Sequence, residues 1–125
     1  MAQFDFTDDQ LAMGRIVDPD WYPVEITDVE DSPSKTDGSM NTNLTMRILS
    51  GKFKGTLLYR TFNEKPKARG FVADFFRKAM KVEPSTGQVY NMDDSLVGVQ
   101  FYVLVEHQEY KGRIQNSVAD FRALD

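Results

Sequence analysis

Five short segments of the chain alternate apolar and polar residues, and this two-residue period constrains the fold more than any other feature. In the first segment, Tyr22, Val24 and Ile26 alternate with proline and polar residues. Such alternation predicts β-strands that bury one face. The predicted strands cover residues 22–30, 43–50, 56–63, 99–107 and 113–121.

Residues 66–82 follow a helical period instead. Apolar residues recur there three and four positions apart, which predicts a helix with one buried stripe. Pro66 suits the first helical turn, and Pro84 ends the helix. We expect the rings of this stripe in the core and not in a binding site. The stripe consists of Ala68, Phe71, Val72, Phe75, Phe76, Ala79 and Met80.

The predicted elements follow the order β-β-β-α-β-β. An all-β chain with one helix in this order is typical of a five-stranded, Greek-key barrel of the oligonucleotide/oligosaccharide-binding (OB) type. A roll or a small sandwich with one helix is the alternative. We expect residues 1–20 to form an acidic amino-terminal arm and residues 21–125 to form the OB-fold-like domain.

The composition excludes several classes of function. The chain has 125 residues, no cysteine and a single histidine, His107. Disulfides, thiolate chemistry and cysteine-based metal sites are therefore absent, and His107 reads as a surface or edge residue. No apolar run approaches the roughly 20 residues of a membrane helix. The first residues lack the pattern of a secretory signal, so we expect a cytoplasmic protein that does not bind membranes.

Catalytic motifs are missing. The glycine-bounded turn at residues 51–55 is too short for a phosphate-binding loop and precedes a strand. Asp93 and Asp94 show no metal-ligand spacing, and we expect one of them to cap a turn. We therefore expect neither enzymatic activity nor a cofactor or metal. A metal-dependent nuclease accessory that uses Asp93 or Asp94 is the enzymatic alternative.

The charges are distributed very unevenly. Residues 42–81 carry ten basic and two acidic side chains, a net charge of +8, whereas residues 1–41 have a net charge of −8 and residues 82–125 of −4. A block this basic within an acidic chain is a candidate anion-binding surface. In the other interpretation, the acidic segments fold back and neutralise it.

Aromatic residues are interleaved with this basic block, as in proteins that hold single-stranded nucleic acid through phosphates and stacked bases. From the alternation we expect Tyr102 to face outward. The third strand has one polar position on either face, so its alternation leaves both orientations open; we favour Tyr59 outward and Phe62 buried. We expect the loop at residues 31–40 to close over the bound strand. The residues predicted to neutralise phosphates are Arg47, Lys52, Lys54, Arg60, Lys65 and Lys67, and those predicted to stack on bases are Phe53, Tyr59 and Tyr102.

Several stretches, in this order, resemble a family of small bacteriophage proteins formerly described as a domain of unknown function. They are DWYPVEIT at 20–27, NLTMRILSGKFKG at 43–55, LYRTFN at 58–63, LVG at 96–98 and YKGRIQN at 110–116. That family is similar to single-stranded DNA-binding proteins of the OB fold that are encoded beside replication and recombination genes. The resemblance covers most of residues 20–122, although Trp21 stands where such proteins usually have a glycine.

The resemblance implies a non-catalytic, sequence-independent single-stranded DNA-binding protein that supports phage DNA replication or recombination in the cytoplasm of the host cell. Single-stranded DNA is the expected partner. Replication or recombination proteins and a second copy of the chain are further candidate partners. The alternative is a protein–protein adaptor of the same fold whose basic face binds an acidic partner.

Overall fold

A computed structural model describes residues 1–7 and 15–124 and contains a five-stranded antiparallel sheet with one short α-helix. Single turns of 3₁₀ helix at Pro66–Ala68 and Asp94–Leu96 flank the helix. The prediction of an all-β chain with one helix is confirmed. The elements are β1 (Asp20–Pro33), β2 (Met40–Ile48), β3 (Leu57–Asn63), α1 (Arg69–Lys78), β4 (Gln100–Tyr110) and β5 (Arg113–Arg122).

β1 and β2 extend further into the predicted 31–40 loop than the sequence suggested, so only residues 34–39 connect them. Polar side chains make this extension possible because they bond across the two strands. Thr42 Oγ1 donates a hydrogen bond of 3.0 Å to Asp31, and Asn43 Nδ2 donates one of 2.9 Å to Ser32 Oγ. The polar, turn-forming residues of this segment thus form side-chain hydrogen bonds with one another across the paired strands.

The strands lie in the order β3-β2-β1-β4-β5, and all of the pairings are antiparallel. β1 is central, and a bulge between Ile26 and Asp28 separates the part that pairs with β4 from most of the part that pairs with β2. Within residues 1–7 and 15–124, no backbone ladder joins β3 to β5. The predicted barrel closure is therefore not present, and the sheet is open.

The core lies between the inward faces of the strands and α1, and Phe75 is its centre. The Phe75 ring centroid lies 5.2 Å from that of Phe121, 5.5 Å from Phe101 and 5.7 Å from Phe62. These contacts are mostly edge-to-face, the arrangement that aromatic quadrupoles favour. They fix α1 against the sheet.

The helix is shorter than the predicted span of residues 66–82, and its stripe is only partly buried. Lys81 adopts a left-handed conformation with φ 56°, and the Val82 amide donates to the Phe76 carbonyl at 2.9 Å, so the chain turns back after the last helical residue. Phe71 was predicted to lie in the core but is 59% exposed. That prediction is wrong because Phe71 lies at the open edge of the sheet, beside β3 and β5.

Residues 15–18 of the predicted arm pack onto the body. Val17 is buried in the core, and Asn116 of β5 binds the backbone on both sides of Ile16. The Asn116 amide accepts from Val17 N at 3.0 Å and donates to the Arg15 carbonyl at 2.6 Å. His107 Nε2 donates to the Val17 carbonyl at 2.6 Å. Side-chain hydrogen bonds from β4 and β5 thus hold residues 15–17 in place of backbone strand pairing.

No helix among the described residues has the length and apolar character needed to cross a membrane.

The central position of Phe75 leads to a stability prediction. Phe75→Ala should lower the free energy of unfolding by about 3–5 kcal/mol, since it removes a buried ring and leaves a cavity. Phe71→Ala, on the same helix but exposed, should change it by less than about 0.5 kcal/mol. Urea unfolding followed by circular dichroism measures both values. Equal effects of the two substitutions would contradict the described core.

Asn116 provides a second stability prediction. Asn116→Ala should destabilise the fold by about 1–3 kcal/mol, because a buried backbone donor and an acceptor lose their partner. Gln115→Ala, at the exposed neighbouring position, is the matched control and should have no measurable effect. Urea unfolding again provides the comparison, and a silent Asn116→Ala would show that residues 15–18 do not need this anchor.

Candidate functional site

The turn between β2 and β3 presents two exposed lysines, Lys52 and Lys54, on either side of Phe53. The Phe53 ring packs edge-on against Tyr22, with centroids 6.0 Å apart, and contributes to the partly buried layer around the core. Lys52 Nζ lies 5.3 Å from the same ring. Phe53 therefore has a packing role here, while the two lysines extend into solvent.

Tyr59 and Arg60 occupy opposite faces of β3. Tyr59 lies opposite Thr45 on the outward face and is 51% exposed, which confirms the expected orientation. Arg60 lies opposite Leu44 on the inward face, at the unpaired edge of the sheet. Phe62, two residues further on, is buried as expected.

The Arg60 guanidinium is held between aromatic rings. Its Cζ lies 4.6 Å from the Phe62 ring centroid and 5.7 Å from that of Phe71, and its Nη1 donates to the Thr61 carbonyl at 2.6 Å. Burial lowers the pKa of Arg60 from its ordinary value, but an arginine remains charged at neutral pH. In the described part of the chain, no carboxylate forms an ion pair with it.

Arg60 opens into a cleft of about 420 Å³ between β3 and β5, which we call the β3–β5 cleft. A neighbouring cleft of about 500 Å³ shares Tyr59 and Asn116 with it and adds Arg113. None of the described residues that line the two clefts is acidic. The β3–β5 cleft is lined by Tyr59, Arg60, Thr61, Phe71, Gln108, Asn116, Ser117, Val118 and Ala119.

Lys65 and Lys67 lie beyond the other end of β3. The seven residues of β3 span about 20 Å, so these lysines are far from Lys52 and Lys54. Lys65 forms an ion pair with Asp37 of the 34–39 loop, whereas Lys67 is exposed. The basic residues of the central block therefore form separate groups and not one continuous trough.

Arg47 and Tyr102 lie on outward faces, as expected, but apart from the β3–β5 cleft. Arg47 is half-buried and lies in one cross-strand row with Glu25 and Leu57. Tyr102 is on β4, three strands away from Tyr59. The structure therefore brings together Tyr59 and Arg60 of the predicted site residues and adds Phe71.

Tyr102 belongs to a second aromatic and basic group. The Arg122 Cζ lies 4.7 Å from the Trp21 ring centroid and 5.0 Å from that of Tyr102. Beside this group is a cleft of about 520 Å³, which we call the helix-end cleft. It is lined by Arg77, Lys78, Lys81, Tyr102, Arg122, Ala123 and Leu124.

Carboxylates neutralise part of the helix-end cleft. Arg77 bonds to Asp74 and Glu83, and Lys78 Nζ lies 3.0 Å from Asp120 Oδ1. The hydrogen bond to Asp120 raises the pKa of Lys78. Burial acts to raise the pKa of Asp120, but hydrogen bonds from the Phe121 amide and Lys78 outweigh it and hold that pKa below its ordinary value.

Asp93 has the structural role expected from the sequence. Its side chain accepts hydrogen bonds from Ser95 N at 3.0 Å and Ser95 Oγ at 2.5 Å, and it caps the Asp94–Leu96 turn. The hydrogen bond from the Ser95 side chain, followed by that from its backbone, lowers the pKa of Asp93. Over residues 1–7 and 15–124, no three acidic or histidine side chains converge as metal ligands would.

Sequence reasoning missed several residues of these clefts, among them Phe71 and Arg122. Phe71 fits the helical stripe, but it alone of the seven stripe residues is exposed, because it lies at the open edge of the sheet. Arg122 lay at the end of the last strand with no local signal. Only the register of β4 and β5, which places Arg122 opposite Tyr102, brings it to the rings.

A scan against protein-family models finds no match for this chain, and a search of curated proteins finds none either.

Proposed function

We propose that this protein binds single-stranded DNA without catalysis and without sequence preference. The observation that carries the proposal is the Arg60 guanidinium, which is half-buried against two aromatic rings and, among the residues that the structure describes, has no carboxylate partner and faces a cleft without acidic lining.

A half-buried charge is costly unless an opposite charge accompanies it. Arg60 has lost part of its hydration to Phe62 and Phe71 but has gained only one backbone carbonyl. An anion that enters the cleft supplies the missing partner. A phosphate fits this role because the flat guanidinium fork binds two of its oxygens at once.

The rings beside Arg60 favour a nucleic acid over a simple anion. Tyr59 and Phe71 both expose more than half of their surface and line the same cleft as Arg60. Bases stack on such rings irrespective of sequence, each contributing about 1–3 kcal/mol. A duplex has no free base faces to offer, so a single strand is the ligand that uses both features.

Basic side chains extend this surface in two directions. Arg113 lines the adjoining cleft, and Lys52 and Lys54 project from the turn that precedes β3. Exposed lysines of this kind attract a polyanion over a distance and raise its association rate. In this proposal, Lys67 has the same role beyond the other end of β3, where Lys65 is paired with Asp37.

The fold is consistent with a proposed OB-type relationship. In the order β3-β2-β1-β4-β5, the outer strands β3 and β5 face each other across the cleft, and OB barrels are often partly open. The resemblance to phage single-stranded DNA-binding proteins supports a role in DNA replication or recombination. The OB-type relationship and the role in replication or recombination are both proposals.

A protein–protein adaptor remains the second candidate because, in the part of the chain that the structure describes, no strand pairs with the outer edge of β3 or β5. A free edge can accept a strand from a partner through backbone hydrogen bonds. An acidic partner strand would also form ion pairs with Arg60 and Arg113. This candidate predicts negligible affinity for oligonucleotides.

The test is a titration of labelled oligothymidylate, followed by fluorescence anisotropy at several salt concentrations. Arg60→Met keeps an apolar stem but removes the charge, so the slope of log K against log salt should become shallower by about 0.7, the value for one phosphate contact. Tyr59→Ala should weaken binding by about 1–3 kcal/mol with little change in slope.

Arg69→Met is the matched control for the charge. It removes one positive charge near the start of α1 but outside the β3–β5 cleft, and its salt slope should equal that of the wild-type protein. If the wild-type protein fails to bind at low salt, the proposal is wrong. If Arg60→Met and Arg69→Met behave alike, DNA binds elsewhere.

A further inference from the structure

We infer that the helix-end cleft is a second contact site for the same DNA strand, so that a long oligonucleotide runs from the β3–β5 cleft to the Trp21–Tyr102–Arg122 group. This inference rests on the proposed function and adds a site to it. Four basic side chains and one tyrosine line the helix-end cleft, and none of its described lining residues is acidic, although Arg77 and Lys78 pair with carboxylates outside that lining.

Two elements, α1 and β5, line both clefts. β5 lines the β3–β5 cleft with residues 116–119 and the helix-end cleft with Arg122. α1 lines the first cleft with Phe71 and the second with Arg77 and Lys78. From Asn116 to Arg122 the path along β5 is about 20 Å, and the parallel path along the helix is about 10 Å. A ligand that follows the junction between α1 and β5, which we call the valley, would therefore reach both clefts.

The aromatic group at the end of the valley repeats the chemistry of the first cleft. Arg122 lies within 5.0 Å of two ring centroids, those of Trp21 and Tyr102, and no described carboxylate pairs with it. Both rings are partly exposed. A guanidinium beside accessible rings suits one nucleotide: the phosphate binds the cation, and the base stacks on a ring.

The backbone at Lys81 provides a second, independent observation. Lys81 has φ 56°, a left-handed conformation that glycine adopts far more readily. A side chain at this position is unfavourable for the fold, yet this one lines the helix-end cleft. Strained positions of this kind are concentrated at functional sites, and here the strained residue is a lysine of the proposed contact site.

The Lys78–Asp120 ion pair bridges α1 and β5 across the valley, with 3.0 Å between Nζ and Oδ1. A phosphate that enters must compete with Asp120 for Lys78. The pair therefore opposes binding at this point, and removing the carboxylate should strengthen the contact with DNA.

The experiment compares oligothymidylates of about 5 and about 20 nucleotides, lengths at the short end of OB-fold site sizes and beyond their upper end. Trp21 is the only tryptophan, so its emission reports on the second site while anisotropy of the labelled DNA reports on total binding. We expect both oligonucleotides to bind, and only the longer one to quench Trp21.

Lys81→Gly removes the positive charge without destabilising the fold, since glycine suits this backbone conformation better. The melting temperature should not fall, but the salt slope for the long oligonucleotide should become shallower by about 0.7 while that for the short one stays unchanged. Lys111→Gly is the matched control, because Lys111 also has a positive φ, of 52°, but lies in the turn between β4 and β5. Asp120→Asn should increase affinity for the long oligonucleotide only.

The outcomes distinguish the two proposals. If neither oligonucleotide binds, the proposed function and this inference both fail. If both bind but the long one leaves Trp21 emission unchanged, or if Lys81→Gly and Lys111→Gly have the same effect, the second site is wrong and the β3–β5 cleft stands alone.

Discussion

The proposed function depends on the way in which β3 and β5 meet. In the described residues these outer strands approach each other without a backbone ladder. Side chains fill the gap between them, which we call the seam. At one end Asn116 binds the backbone of residues 15–17, and at the other Arg60 and Phe71 occupy the gap. A closed ladder would leave no room for the cleft. The open seam therefore produces both the accessible rings and the guanidinium without a carboxylate.

The core keeps this seam in place. Phe75 packs against Phe62 of β3 and Phe121 of β5, so one ring of α1 contacts both edges of the open sheet. Phe71 is one helical turn before Phe75 and consequently lies over the seam, close to Arg60. Stability and binding thus use neighbouring positions of one helix: the buried ring holds the edges at their spacing, and the exposed ring is available for a ligand.

The strands and the helix could be predicted from the sequence because the periodicity of each depends only on residues that are close together in the chain. The alternation around Val24 and Ile26 and the capping by Asp93 need only neighbouring residues. The site was harder to predict, because its residues meet through register and edge geometry. Phe71 fits a buried stripe equally well in the sequence, and only its place at the open edge of the sheet leaves it exposed. The central basic block looked continuous, but Arg77 and Lys78 pair with carboxylates, two of which lie outside that block.

The most direct test of the account is amide chemical-shift mapping of the nitrogen-labelled protein during titration with a short oligothymidylate. The account predicts that the largest shifts occur in residues 58–61, around Phe71 and in residues 114–119, since these line the β3–β5 cleft and its neighbour. Shifts that avoid these segments and are concentrated on the outward faces of β1 and β2 would show that DNA binds the sheet face and not the seam, and would contradict the central claim.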